Sequence, residues 1–136
     1  LSIRRQRQMC IRDSSNDAMQ YAVLEALEKA SDYPALMCAE FKTRRDLICA
    51  RLNAMPRVSC NIPTGAFYVF PKFDIPGYNS KELAMEMLEG GVLCSPGTAF
   101  GEAGEGHLRF AYTIGREDIS KGMDRVEKVL SKLVPR

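Results

Sequence analysis

A glycine-rich loop followed by a strictly alternating segment constrains this chain more than any other feature. Residues 91–113 read GVLCSPGTAFGEAGEGHLRFAYT. Leu108, Phe110 and Tyr112 occupy alternate positions of a predicted strand and are expected to face a core, so Arg109 must project from the opposite face. A planar guanidinium beside a loop is suited to binding a carboxylate. By itself the pattern is more typical of a solvated arginine on the outer face of a sheet.

Hydrophobic periodicity predicts a mixture of helices and short strands along the rest of the chain. Helices are expected over residues 15–30, 33–55, 80–90 and 115–133. Short strands are expected over residues 58–62, 66–70, 92–94 and 107–113, with a loop over 72–79. The adjacent Phe67 and Tyr68 are interpreted as core residues rather than as a stacking surface for bases, and the pair Arg44 and Arg45 as a solvated helix face.

Three motifs occur in a fixed order: PTGAFYVFP at residues 63–71, PGTAFG at 96–101 and GHLRFAY at 106–112. Together they resemble the C-terminal part of the fold-type I pyridoxal-phosphate aminotransferases, the class I/II or aspartate aminotransferase family. In that family the arginine of the last strand holds the α-carboxylate of the substrate. The resemblance therefore implies that Arg109 binds the α-carboxylate, with Phe100 in the loop near the substrate.

The resemblance also implies a fold class and a domain organisation. The expected class is α/β, of the α+β small-domain type. A mixed or antiparallel sheet of three to four short strands packs on helices and follows a long connecting helix. Residues 15–54 correspond to the end of the large domain and the interdomain helix, and residues 55–136 to the small domain. Residues 1–14 do not match and are interpreted as a disordered end, a basic arm or targeting signal, or a segment foreign to the protein.

For the intact parent, the resemblance implies an aminotransferase that moves an amino group between an amino acid and a 2-oxo acid with pyridoxal 5'-phosphate. The expected parent is a cytoplasmic homodimer in which this part closes over the substrate. Two alternatives stay open: a lyase or synthase on the same fold, and a transcription regulator with an aminotransferase-like body. No S-x-x-K segment is visible, so this chain is expected to contain no catalytic or cofactor-binding residue and to be inactive alone.

Composition excludes several other classes. The 136 residues, 46% hydrophobic and 26% charged, suit one soluble globular domain, and a net charge of +2 argues against binding nucleic acid through bulk charge. No apolar run is long enough to span a membrane. The single histidine, His107, has no companion motif for a metal site or a catalytic triad. The five cysteines lack C-x-x-C spacing, and four are expected to be buried thiols in a reducing compartment.

The loop GTAFGEAGEG matches no phosphate-binding pattern. It lacks the Gly-Lys-Ser/Thr ending of a P-loop and precedes a strand rather than a helix. Glu102 and Glu105 would also repel a phosphate. A flexible flap beside the substrate is the function that we predict for this loop.

Overall fold

The computed structural model describes residue 3, residues 16–30 and residues 32–134. The predictions for residues 1–14 thus lie outside the described residues, apart from residue 3. The chain divides into two compact units, residues 1–38 and residues 39–136. The predicted boundaries at residues 14/15 and 54/55 refer to a longer protein and stay predictions.

The helices of the described chain begin and end close to where the periodicity places them. They are α1 (Asp17–Lys29), α2 (Tyr33–Asn53), α3 (Ser80–Glu89) and α4 (Arg116–Leu133). Asn16 caps α1, because its side-chain oxygen accepts the backbone N–H of Ala18 at 2.9 Å. The sequence favours Ser80 as the cap of α3, and this is wrong, because the cap is Asn79. Asn79 and Glu82 form a reciprocal capping box there.

Five short strands are observed in the described residues, and their pairing is antiparallel. They are β1 (Val58–Ser59), β2 (Tyr68–Val69), β3 (Lys72–Phe73), β4 (Ser95–Pro96) and β5 (Leu108–Ala111). One sheet pairs β1 with β3, and the other has the order β2-β5-β4, with β5 in the centre. The predicted α/β class with a small antiparallel sheet on helices is confirmed, although the strands divide into two sheets.

The strand predicted over residues 92–94 is wrong. Gly91 adopts a φ of +80°, and the backbone N–H of Val92 donates to Met87 O at 2.8 Å. This pattern is the Schellman termination of α3, so the backbone of Val92 completes the helix end instead of joining a sheet. Leu93 is consequently exposed, and pairing with β5 begins only at Ser95.

Other local predictions also need correction. β3 lies inside the segment that was predicted to be a loop, and β1 ends before Ile62, which is exposed. The sequence places Leu88 on the buried stripe of α3, and Met85 also if that stripe is broad. Both side chains are exposed, because the short helix buries only a narrow face around Leu83 and Met87.

The core lies in the second unit and is drawn from both sheets and three helices. The end of α2 and one face of α4 supply much of it. Its buried members include Ile48, Leu52, Val69, Phe73, Leu83, Met87, Leu108, Phe110, Tyr112, Ile119, Met123 and Val126. Arg51 near the end of α2 also pairs with Asp124 on α4, which adds a surface ion pair above the apolar contact.

The cysteines are only partly buried as predicted. Cys49 and Cys60 are buried and their Sγ atoms lie 3.9 Å apart, whereas Cys94 is half-buried and Cys38 is exposed. Burial is the main cause that raises the pKa of the Cys60 thiol to about 12. Cys10 lies outside the described residues. Within the described ranges, no helix is both long and apolar enough to cross a membrane.

Candidate functional site

Arg109 projects from the central strand of the three-stranded sheet, on the face away from the core. Its neighbours Leu108 and Phe110 are buried, as the alternation predicted, while Arg109 itself is half-buried. The strands on either side pair Ser95 with Arg109 and Tyr68 with Ala111. Side chains from β2 and β4 therefore flank the guanidinium on both sides.

Two aromatic rings lie against that guanidinium. Its carbon Cζ lies 4.4 Å from the centre of the Tyr68 ring and 4.3 Å from the centre of the Phe100 ring. Both distances are well within the range of a cation–π interaction. Tyr68 comes from the neighbouring strand β2, and Phe100 from a 3-10 turn, Gly97–Phe100, that follows β4. Arg109 is thus held between a strand residue and a loop residue.

The edge of the guanidinium is only lightly engaged. Nη2 donates to Ser95 Oγ at 3.5 Å, which is the outer limit of a hydrogen bond. No carboxylate in the described part of the chain forms an ion pair with Arg109. The charge is therefore left for an anion from elsewhere, and the in-plane N–H groups suit a carboxylate.

The rings around Arg109 continue as a row, which we call the ring row and define as Tyr68, Phe100, Phe70 and His107. Phe100 meets Phe70 edge to face at 6.0 Å, and Phe70 stacks on His107 at 5.0 Å with an angle of 11° between the planes. His107 Nδ1 lies 3.0 Å from Glu105 O. The apolar surface beside the arginine is therefore a connected series of contacts.

The sequence had assigned Phe67 and Tyr68 to the core, and this is wrong for both. Phe67 is exposed, and the half-buried Tyr68 lies on the guanidinium. A signal was present, because the two-residue period of a strand places Tyr68 and Phe70 on one face, opposite the buried Val69. The register that puts this face beside Arg109 was not readable from the sequence.

The glycine-rich loop is folded into two 3-10 turns rather than open. A Cβ on Gly97 would lie 2.1 Å from Gly104 O, so the two segments approach more closely than any other residue allows. Glu105 anchors the loop to α3 by accepting the backbone N–H of Ser80 at 2.7 Å and its hydroxyl at 3.0 Å. These donors, with the N–H of Gly106, lower the pKa of the Glu105 carboxyl.

Arg45 is a structural residue that the sequence analysis missed. Instead of lying on a solvated helix face, Arg45 is half-buried and donates from Nη1 to Pro63 O at 3.1 Å. The Tyr112 hydroxyl donates to Ala66 O at 2.9 Å. Ala66 has a φ of +59°, unusual for a residue other than glycine. The turn that leads into Tyr68 is thus fixed from both α2 and the end of β5.

A lysine that forms a Schiff base is enclosed with the cofactor. In the described part of the chain every lysine is exposed. These lysines are Lys29, Lys42, Lys72, Lys81, Lys121, Lys128 and Lys132. The described part of the chain also contains no cluster of three or more metal-ligating side chains.

No family model matches the chain. An aromatic-amino-acid aminotransferase 2 from Thermococcus litoralis is 42% identical over 119 residues, which are 84% of this chain and 30% of that protein. An aspartate aminotransferase from Pyrococcus abyssi is 44% identical over 117 residues, or 82% of this chain and 29% of that protein. The chain belongs to the fold-type I aminotransferase family. It spans about 30% of the length of the curated relatives it matches.

Solved aminotransferases agree in fold as well as in sequence. The alanine aminotransferase from Pyrococcus furiosus superposes with a TM-score of 0.82 at 37% identity, covering 93% of this chain and 33% of that one. The aspartate aminotransferase from Thermus thermophilus with maleate gives a TM-score of 0.77 at 32% identity, covering 89% of this chain and 32% of that one. The described chain is therefore one segment of an aminotransferase fold.

Proposed function

We propose that this chain is the C-terminal, small-domain part of a longer pyridoxal-phosphate-dependent aminotransferase. The longer protein moves an amino group between an amino acid and a 2-oxo acid. The observation that carries the proposal is Arg109, a guanidinium with no acidic partner among the described residues, on a segment similar to known aminotransferases. Only about 30% of each relative is matched, so the activity belongs to the longer protein.

In this proposal Arg109 binds the α-carboxylate of the amino acid and of the 2-oxo acid. Its N–H groups lie in one plane and can donate to both carboxylate oxygens at once. Binding of this kind orients the substrate without any proton transfer by the arginine. A solved relative was obtained with maleate, which carries two carboxylates, and this is consistent with anion recognition in the family. Phe100, in contact with Arg109, lies at the edge of the same surface.

The cofactor is assigned to residues outside this chain. Pyridoxal phosphate, when bound, acts as the electron sink for the amino-transfer chemistry. Because the lysines of this chain are exposed, the residues that hold the cofactor are expected in the rest of the longer protein. The 136-residue chain alone is therefore predicted to show no transaminase activity. Turnover by the chain alone, or a change in cofactor absorbance on mixing, would contradict that prediction.

The role of Arg109 is tested by Arg109→Lys in the longer protein, whose coding sequence can be read from the source locus. Lysine keeps the charge but loses the planar pair of donors. We expect KM for the amino acid to rise by about tenfold or more, which corresponds to at least about 1.4 kcal/mol. Arg116→Lys is the matched control, because Arg116 is an exposed arginine at the start of α4. An unchanged KM in Arg109→Lys would reject the assignment.

The same assays separate the alternatives. Release of an elimination or condensation product without a keto acid would identify a lyase or synthase, and an upstream DNA-binding domain in the reading frame would identify a transcription regulator. We also propose that the longer protein is a cytoplasmic homodimer, on the family resemblance alone. Light scattering of the purified longer protein measures its oligomeric state.

A further inference from the structure

Two aromatic side chains in contact with Arg109 can fix the plane of its guanidinium. Resting on the proposed carboxylate-binding function of Arg109, we propose that Tyr68 and Phe100 are positioning residues that clamp the guanidinium and present its N–H edge to the carboxylate. The centres of their rings lie 4.4 Å and 4.3 Å from Cζ of Arg109. Phe100 has no hydrogen-bond donor, so its effect acts through the arginine, and Tyr68→Phe separates the ring of Tyr68 from its hydroxyl.

Hydrogen bonds do not fix that plane. An arginine is ordinarily oriented by a carboxylate or by carbonyl groups that accept from several of its N–H groups. Here the contact from Nη2 to Ser95 Oγ is 3.5 Å long, and the described residues supply no carboxylate. The two rings are the other described contacts of the guanidinium, so they restrict its rotation about the side chain.

Clamping of this kind favours one class of ligand geometry. A carboxylate binds best in the plane of the guanidinium, whereas an aromatic group or a second guanidinium stacks on its face. The two ring contacts restrict the orientations that the guanidinium can adopt. An arginine that is already oriented loses less conformational entropy when the substrate binds, and so binds it more tightly.

The clamp is supported on its loop side. Phe100 packs edge to face on Phe70, which stacks on His107. The loop that contains Phe100 is anchored by Glu105 to the first residue of α3. Phe100 is nevertheless exposed, with 53% of its surface accessible. Its substitution is therefore expected to change the contact with Arg109 without unfolding the domain.

The test uses leucine variants of both rings in the longer protein with its cofactor bound. Phe100→Leu and Tyr68→Leu keep an apolar side chain but remove the π face. Each is expected to raise KM for the amino acid and Kd for maleate by roughly threefold to tenfold, the range of a cation–π contact. Phe100→Tyr and Tyr68→Phe keep the π face and are expected to retain the parental KM. Tyr78→Leu, at an exposed aromatic residue outside the ring row, is the matched control.

Three readouts distinguish positioning from a general structural role. In the leucine variants, cofactor affinity and kcat at saturating amino acid are expected to stay within about twofold of the parent. The thermal unfolding midpoint is expected to stay within about 2 °C. The inference is overturned if the leucine variants have the same KM and Kd as Tyr78→Leu while Arg109→Lys raises KM. That result would leave the proposed function standing. Leucine variants that also lose cofactor affinity and lower the unfolding midpoint would overturn the inference as well, because such losses indicate a general structural role. A parental KM in Arg109→Lys would reject the proposed function itself.

Discussion

At the scale of single residues, the site depends on side chains that hold other groups in place. Arg109 is the only residue to which we assign contact with the α-carboxylate. Arg45 and Tyr112 act on the backbone before β2, by donating to Pro63 O and Ala66 O respectively. Because Tyr68 follows directly on this turn, errors in the turn would displace one of the two rings on the guanidinium.

The Tyr112 hydroxyl provides a test at this scale. In Tyr112→Phe the buried ring stays, but the 2.9 Å hydrogen bond to Ala66 O is lost. We expect the free energy of unfolding of the chain to fall by about 1 kcal/mol, the usual net contribution of such a bond. Urea unfolding measures the change. Tyr78→Phe is the control, because the Tyr78 side chain is exposed. An equal effect in both variants would contradict the importance of the Ala66 contact.

At the scale of elements, the glycine-rich loop is connected to the start of α3 by one carboxylate. Glu105 accepts from the backbone and the side chain of Ser80, and its pKa is lowered chiefly by the backbone N–H of Ser80. A carboxyl group whose pKa is lower in the folded chain than in the unfolded chain stabilises the fold when it is ionised. This contribution is present above the ordinary value of 4.5 and is lost as the pH falls through the lower folded value.

Glu105→Gln is therefore expected to lower the thermal unfolding midpoint at pH 7. The difference from the parent should shrink as the pH falls below about 4.5, because the parental carboxyl then becomes protonated as well. Calorimetry at a series of pH values measures this, with Glu102→Gln as the matched control in the same loop. A difference that stays constant across the series would show that ionisation of Glu105 is not the cause.

At the scale of the whole molecule, the two units differ in how much apolar surface they bury. The buried side chains of the described chain lie between residues 48 and 130, whereas α1 buries none of its side chains. Tyr21, Leu24 and Leu27 on α1 are all exposed. An amphipathic helix with an uncovered apolar face is typical of a segment that packs against another part of a longer protein.

The double substitution Leu24→Gln and Leu27→Gln tests that interpretation. In the 136-residue chain it is expected to reduce binding of a hydrophobic dye and to change the free energy of unfolding by less than about 0.5 kcal/mol, because both side chains are exposed. In the longer protein the same substitutions should destabilise by about 2 kcal/mol or more, because a covered leucine would be replaced by a polar group. Equal, small effects in both proteins would show that this face stays uncovered.

Much of the local structure follows from the sequence, because it depends on short-range periodicity and on residues with restricted backbones. The four helices, the alternation of Leu108, Arg109 and Phe110, and the placement of the arginine away from the core were all predictable. The cap of α3 was not predicted correctly, because Asn79 and Ser80 are adjacent and both residue types favour that position. The resemblance in motif order indicated the family, which the relatives confirm.

Only the tertiary structure decided what surrounds Arg109 and which strands form. The strand predicted over residues 92–94 does not form, because the backbone N–H of Val92 donates to Met87 O at the end of α3. Hydrophobic periodicity does not reveal that this N–H is used by the helix end and not by a neighbouring strand. The contacts of Tyr68 and Phe100 with one guanidinium depend on the register of β2 against β5 and on a loop closed by two glycines. Such contacts join residues far apart in the chain, so they are fixed by packing of the whole domain and not by any local preference.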